Sequence, residues 1–184
     1  MKYFLIPLAI VVVVAVLVAV SYNGLIRRRN QVENGWAQID VQLKRRIDLI
    51  PNLVETVKAY ASHERETLEA IVNARNAAMA APSTPQAQAQ ADGQMASALR
   101  QVFALSEAYP DLKANQNFLA LQEELSATEG RVAYARQFYN DAVLGYNNKL
   151  DSFPTLFFAR AMKFVRREYF EADEASKQAP KVQF

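Results

Sequence analysis

The chain opens with about twenty residues, from Tyr3 to Tyr22, that carry no charge. At about 1.5 Å per residue, a helix of this length spans about 30 Å, the thickness of a bilayer's hydrocarbon core. Its valines favour a strand in water, but a lone segment in lipid satisfies its backbone hydrogen bonds only as a helix. We therefore predict a membrane anchor over residues 1–26. A cleaved signal peptide ending near Ser21 is the alternative, and the apolar run is longer than a typical signal core.

Residues that favour the lipid headgroup layer flank this segment. Tyrosines stand at both of its ends and three arginines follow it, which predicts a membrane-interface role for Tyr3, Tyr22, Arg27, Arg28 and Arg29. Apart from the amino terminus, only Lys2 lies on the other side. The positive-inside bias then predicts a single-pass protein of the plasma (inner) membrane with its N terminus outside and its bundle in the cytoplasm.

The remaining sequence is rich in strong helix formers and poor in glycine, which predicts an all-α fold. A net charge of +2 lacks the basic excess of a nucleic-acid-binding protein, so no nucleic-acid partner is expected. There is no cysteine, which excludes disulfides and thiolate metal sites.

A long amphipathic pattern follows the apolar segment. From Val32 to Ile71, apolar residues recur in steps of three and four, while charged residues such as Arg46 fall on the other faces. This pattern predicts one very long helix over residues 23–81. Pro51 lacks a backbone donor and crowds the preceding turn, which predicts a kink or a short break near Ile50.

Three further helices are predicted downstream. Thr84 can cap a helix that has Pro85 at its first position and ends near Tyr109. A third long helix starts at Asn115 or Asn117 and runs to residue 150, and a shorter fourth covers residues 155–170. Because amphipathic helices joined by short connections pack antiparallel, we expect a single N-terminal transmembrane helix followed by an elongated antiparallel four-helix bundle over residues 27–170. Residues 171–184 read as a charged C-terminal tail.

No constellation of catalytic or metal-binding residues is evident. His63 is the only histidine, and Thr67 stands where a two-histidine zinc helix needs its second ligand. The carboxylates of the third helix are expected to form surface ion pairs with its arginines; they are Glu123, Glu124, Glu129 and Asp141. We predict no catalytic, cofactor-binding or metal site and no enzymatic activity, an expectation that turnover lost on mutating His63 or Glu129 would contradict.

Four asparagines lie near the apolar stripes: Asn30, Asn52, Asn140 and Asn147. Polar amides in such positions can fix helix register or oligomeric state. Local capping or backbone bonding near Pro51 and Gly145 explains them equally well. The sequence leaves these two interpretations open.

The segment 157–167 combines basic and aromatic residues. As a helix it places Arg160, Lys163 and Arg167 on one face and Phe157 and Phe164 on others. Such a helix can lie in a membrane interface or bind an acidic subunit. We favour a simpler interpretation, in which it is the fourth bundle helix with a solvated basic edge.

Several motifs closely resemble the LemA family across nearly the whole chain. They are Asn30-Gln-Val-Glu-Asn-Gly-Trp36, Ile39-Asp-Val-Gln-Leu43, Asp48-Leu-Ile-Pro-Asn-Leu53, Tyr109-Pro-Asp-Leu-Lys-Ala-Asn115 and Tyr139-Asn-Asp-Ala142. Ile47 departs from the family's frequent histidine, and Ala59 from a common glycine. The resemblance implies a single N-terminal anchor and a helical bundle, and it extends to MamQ-type proteins, which act in shaping magnetosome membranes. It implies no enzymatic activity.

Together these features predict a structural protein: a membrane-anchored scaffold that self-associates and organises or shapes the membrane. The expected partners are membrane lipid and further copies of the chain. The alternative is a membrane adaptor that holds a protease or a signalling protein.

Overall fold

A computed structural model describes residues 2–171 of the protein, with side chains described from Ile6 onward. Its elements are α1 (Lys2–Tyr60), α2 (Arg65–Ala80), α3 (Pro85–Ser106), α4 (Pro110–Lys113), α5 (Gln116–Asp151) and α6 (Thr155–Phe158). No strand occurs among these described residues, which confirms the predicted all-α class. Residues 172–184 lie outside them, so the C-terminal tail and the three-part domain division stay predictions.

The first helix contains the predicted anchor and continues far beyond it. From Ile6 to Val20 its side chains are exposed except for half-buried Val18, and Ser21 is the first that is buried. By length and composition, this helix can cross a membrane. The prediction of one long apolar N-terminal helix is therefore confirmed.

The predicted short break near Ile50 does not occur, because α1 passes through Pro51 without interruption, while the alternative, a kink, stays a prediction. Pro51 has no N–H to donate to the carbonyl of Ile47, so α1 continues here without that one hydrogen bond. The long helix ends nine residues later, at Tyr60, so the predicted single helix over residues 23–81 is wrong. The chain turns at Ser62 and His63, where the N–H of Glu64 bonds to the carbonyl of Ala61 at 3.1 Å.

The starts of α3 and α5 are set by capping residues in the local sequence. Thr84 caps α3 as predicted, with its hydroxyl accepting a hydrogen bond from the N–H of Ala87 at 3.4 Å, and Pro85 is the first helical residue. The side chain of Asn115 accepts from the N–H of Phe118 at 3.0 Å, which caps the start of α5. Local capping by Thr84 and Asn115 therefore sets where α3 and α5 begin.

The predicted fourth helix over residues 155–170 is wrong. Only Thr155–Phe158 is helical, a run of turns follows, and residues 164–171 are without regular structure. The N–H of Phe164 bonds to the carbonyl of Ala159 and that of Lys163 to Arg160, while Lys163 adopts a φ of 60°. This hydrogen-bond pair terminates helices, usually with glycine at the left-handed position. With lysine there, the sequence carries no visible stop signal.

The fold divides into two compact units. The first comprises residues 1–37 and 137–168. Within it, α1 and α5 run antiparallel and close together, because a Cβ added at Gly35 would lie 3.1 Å from the Cα of Tyr139. Further along, Gly145 faces Arg28 and Gly24 faces Lys149. The absence of a side chain at Gly35 thus lets the two helices of this unit approach closely at Tyr139.

Among the described residues, the second unit comprises 38–136 and 169–171 and has a helical core. Side chains from α1, α2, α3, α4 and α5 meet in it, and those that are fully buried include Ile50, Leu53, Val57, Ile71, Leu112 and Phe118. The four longer helices of this unit, α1, α2, α3 and α5, thus share one core. The turn at Ser62 separates α2 from α1.

A buried ion cluster lies in the second unit. Arg46 is only 2% exposed and Asp92 7%. An Nη1–Oδ1 distance of 2.6 Å joins them, and Arg136 approaches the other Asp92 oxygen at 3.5 Å. Burial raises the pKa of Asp92, and the two guanidinium groups oppose that shift. The helical pattern placed Arg46 on a charged outer face, which is wrong because Asp92 on α3 draws it inward.

The Asp92→Asn variant tests how strongly this cluster supports the fold. It leaves the Arg46 charge buried without its counter-ion, and we expect the free energy of unfolding to fall by about 3–5 kcal/mol. Denaturant unfolding of the full chain in detergent, followed by circular dichroism, measures the change.

The matched control replaces both partners with apolar residues, Arg46→Met with Asp92→Leu. This double variant is expected to stay close to the unsubstituted protein, because no buried charge is left unpaired. Equal losses in the single and the double variant would contradict the proposed ionic role.

Candidate membrane-proximal site

Four of the residues predicted to lie at the membrane interface, Tyr22 and Arg27–Arg29, follow the exposed apolar span, where α1 begins to pack against other residues. Tyr22 is exposed and meets Phe164 edge-on, with ring centroids 5.8 Å apart. Arg27 and Arg28 are exposed, and half-buried Arg29 pairs with Glu33 at 3.6 Å. The side chain of Tyr3 lies outside the described part of the chain. Their predicted contact with lipid stays a prediction.

The packing of the first unit brings the end of α5 to the same level. Lys149 lies beside Gly24, and Phe164 lies against Tyr22, so the chain between these two residues starts and finishes where the apolar span ends. Residues 20–24 and 149–164 lie far apart in the sequence, which gives no sign that they meet. The antiparallel helices place them side by side.

The chain after α6 is held on α5 by hydrogen bonds to its backbone. Tyr146 donates to the carbonyl of Val165 at 3.0 Å, and Tyr139 donates to that of Glu168 at 2.9 Å. Asn147 makes a reciprocal pair with Arg167, donating to its carbonyl and accepting from its N–H, both at 3.0 Å. Side chains of one helix thus replace the partners that a neighbouring strand would supply.

These three α5 side chains are buried, which makes their bonds consequential. Asn147 is 2% exposed, and burial raises the pKa of both Tyr139 and Tyr146. Neither interpretation offered for Asn147 predicted that it would bind a backbone twenty residues away. The recurrence of Tyr-Asn at 139–140 and 146–147, seven residues apart and so on one helix face, was the signal that could have identified this surface.

The other three asparagines show less. Asn30 and Asn52 are exposed, and the Asn52 carbonyl accepts a hydrogen bond from Thr56 Oγ1 at 2.8 Å. Asn140 is half-buried. Their roles stay predictions.

The basic aromatic segment does not form the amphipathic helix that the pattern predicts. Phe157, Arg160 and Lys163 are exposed, whereas Phe164 packs on Tyr22 and Arg167 lies 3.7 Å from Glu33. Because the helix ends at Phe158, the three basic residues do not share a helical face. The segment instead divides into an exposed turn, which ends at Lys163, and the start of the non-helical residues 164–171. Of these, residues 165–168 are held on α5 and are called the extended chain below.

The residues considered for chemistry are dispersed. His63 is exposed in the turn after α1, and Glu123, Glu129 and Asp141 are exposed on α5. Glu124 forms ion pairs with Arg45 at 2.8 Å and Arg131 at 3.2 Å. Within residues 2–171, His, Asp and Glu side chains form no group of three that could hold a metal ion.

Asn147→Ala tests the attachment of the extended chain. It removes two buried hydrogen bonds, worth about 1–2 kcal/mol together, so we expect the Arg167 amide to exchange its hydrogen about tenfold faster. Hydrogen exchange with mass spectrometry on peptides covering residues 163–171 measures this. Asn148→Ala is the matched control, because its exposed side chain has the same chemistry, and unchanged exchange in both variants would refute the attachment.

Comparison with known proteins gives consistent similarities. Protein LemA of Metamycoplasma hominis is 28% identical over 156 residues, which cover 83% of this chain and 69% of the relative. Magnetosome proteins MamQ 1 and MamQ 2 of Paramagnetospirillum magneticum are each 32% identical over 85 residues, or 46% of this chain. The match spans only 31% of the length of these magnetosome relatives.

The extended chain on α5, the ion cluster and the helical core all fall within the stretch that a family sequence model recognises. The sequence model of the LemA family matches residues 35–184, which is most of the chain. The protein therefore belongs to the LemA family.

Proposed function

We propose that this protein is a membrane-anchored scaffold whose copies associate with one another and organise or shape the membrane. The continuity of α1 carries the proposal. One uninterrupted helix runs from the exposed apolar span to Tyr60, so no flexible linker separates the anchor from residues 23–60. Because no flexible linker intervenes, we expect association of copies through residues 23–60 to act on the apolar span.

A groove in the second unit supports self-association. It has a volume of about 380 Å³ and is lined by Gln38 and Gln42 of α1 and by Ala127, Gly130, Arg131, Tyr134 and Ala135 of α5. A Cβ added at Gly130 would meet nothing within 4 Å, so another helix can approach this surface closely. We place a helix of a second copy in this groove.

Two side chains of the groove favour an occupant. Tyr134 is 69% exposed and offers a ring with a polar tip, a residue type enriched at protein interfaces. Gln42 Oε1 is buried and has no hydrogen-bond partner, so a donor from a second chain would satisfy it. The resemblance to MamQ-type proteins supports the proposed role in shaping the membrane.

The anchor also suggests an orientation. Three arginines follow the apolar span, and the positive-inside bias favours their placement in the cytoplasm, so we propose an outside N terminus and a cytoplasmic bundle at the inner membrane.

Gentle extraction tests self-association. Taken from native membranes into polymer-bounded lipid discs or mild detergent, the full chain is expected to give particles of several times its 20.7 kDa mass in native mass spectrometry. Tyr134→Glu should shift these particles toward monomers, because it places a charge in the groove. Met79→Glu is the control, because it makes the same charge change at an equally exposed site on α2.

Uniform monomers under every mild condition would contradict the scaffold. A small complex of fixed composition with a different membrane protein, recovered by cross-linking without homo-assembly, would favour the adaptor function instead.

Orientation can be tested with single cysteines, because the chain has none of its own. Ser83→Cys in the exposed α2–α3 connection should be protected from an impermeant maleimide in intact cells, and Lys2→Cys should be labelled. A permeant maleimide that labels both shows that each thiol is reactive. Rapid labelling at Ser83→Cys by the impermeant reagent would place the bundle outside.

A further inference from the structure

The turn that follows α5 exposes a cluster of large apolar side chains. Phe153 is 79% exposed and Phe157 76%, and their rings meet edge-on with centroids 6.0 Å apart. Leu156, between them in sequence, is also exposed. Adjacent exposed apolar side chains of this size mark an interaction surface more often than ordinary protein surface.

The position of this cluster in the first unit selects its partner. Lys149 packs beside Gly24 and Phe164 against Tyr22, so the turn leaves and rejoins α1 at the end of the apolar span. Because α5 runs antiparallel to α1, its continuation past Lys149 points toward Val20 and the exposed apolar residues before it. The turn therefore lies on the side of Gly24 where the exposed apolar span begins.

The charges of the turn fit the same partner. Arg160 and Lys163 are the only charged residues from Ser152 to Lys163, and both are exposed. The neighbouring cations differ, since Arg166 pairs with Asp151 at 2.5 Å and Arg167 lies 3.7 Å from Glu33. Two cations without acidic neighbours in the turn, next to exposed aromatic rings, suit an anionic lipid surface.

We propose that residues 152–163 form a second membrane contact, in which Phe153, Leu156 and Phe157 enter the interfacial layer while Arg160 and Lys163 bind lipid phosphates. This inference rests on the proposed anchor and deepens it. With contacts on both α1 and the turn, the first unit has a fixed tilt and rotation at the bilayer, which a single spanning helix does not impose.

Depth-dependent quenching in vesicles tests the contact with the full chain. A polarity-sensitive fluorophore on Leu156→Cys, which keeps both phenylalanines, is expected to be quenched by lipids carrying a spin label near the headgroup. Quenching should be at least about twofold stronger than at Ser83→Cys, and stronger in vesicles containing phosphatidylglycerol than in phosphatidylcholine alone. Equal quenching at the two sites would overturn the proposal.

Two double variants separate the apolar and the ionic parts. Phe153→Ser with Phe157→Ser should reduce quenching at position 156 in both vesicle types, because the insertion is lost. Arg160→Gln with Lys163→Gln should abolish only the difference between the two lipids. If the phenylalanine variant leaves quenching unchanged and the basic variant leaves the lipid difference unchanged, the assignment of these residues is overturned.

A fluorophore on Val12→Cys, inside the apolar span, distinguishes this proposal from the anchor itself. Deep quenching at Val12→Cys without quenching at Leu156→Cys refutes the second contact and leaves the anchor. No quenching at either site refutes the anchor as well. Shielding of position 156 that grows with the protein-to-lipid ratio, without lipid quenching, assigns the cluster to a protein contact and also refutes the lipid contact.

Discussion

The backbone hydrogen bonding of α1 is the constraint on which the other features depend. In lipid, a lone segment can satisfy its N–H and carbonyl groups only within a helix, so the apolar span must be helical. The same helix then continues to Tyr60 and supplies Ile50, Leu53 and Val57 to the core of the second unit. Because the apolar span and these core residues belong to one element, the continuity of α1 links them.

A second constraint comes from buried polar side chains, which fix how separate segments of the chain pack against one another. Asn147 and the two tyrosines of α5 bond to the backbone of residues 165–168, which has no regular structure. Arg46 and Asp92 join α1 to α3 in a similar way through charge. Buried polar groups are costly when left unpaired, so each of these contacts favours one arrangement over its alternatives.

Family membership and structure contribute different information. The LemA match begins at residue 35, after the apolar span, so the anchor rests on the length and composition of α1. The extended chain on α5 and the exposed turn come from the structure. Both lie in the first unit, as does the end of the apolar span. The carboxylates and His63, by contrast, are dispersed over the fold.

The sequence by itself determined the features that depend on neighbouring residues: the apolar span, the all-α class, and the bounds that Thr84 and Asn115 set through local capping. Tertiary contacts decided the rest. The burial of Arg46 depends on Asp92, which lies on another helix, and the chain after Phe158 depends on α5 side chains. Helical periodicity records which residues share a face but not which partner covers that face, so it extended a helix through Lys163 and placed a buried arginine on the surface.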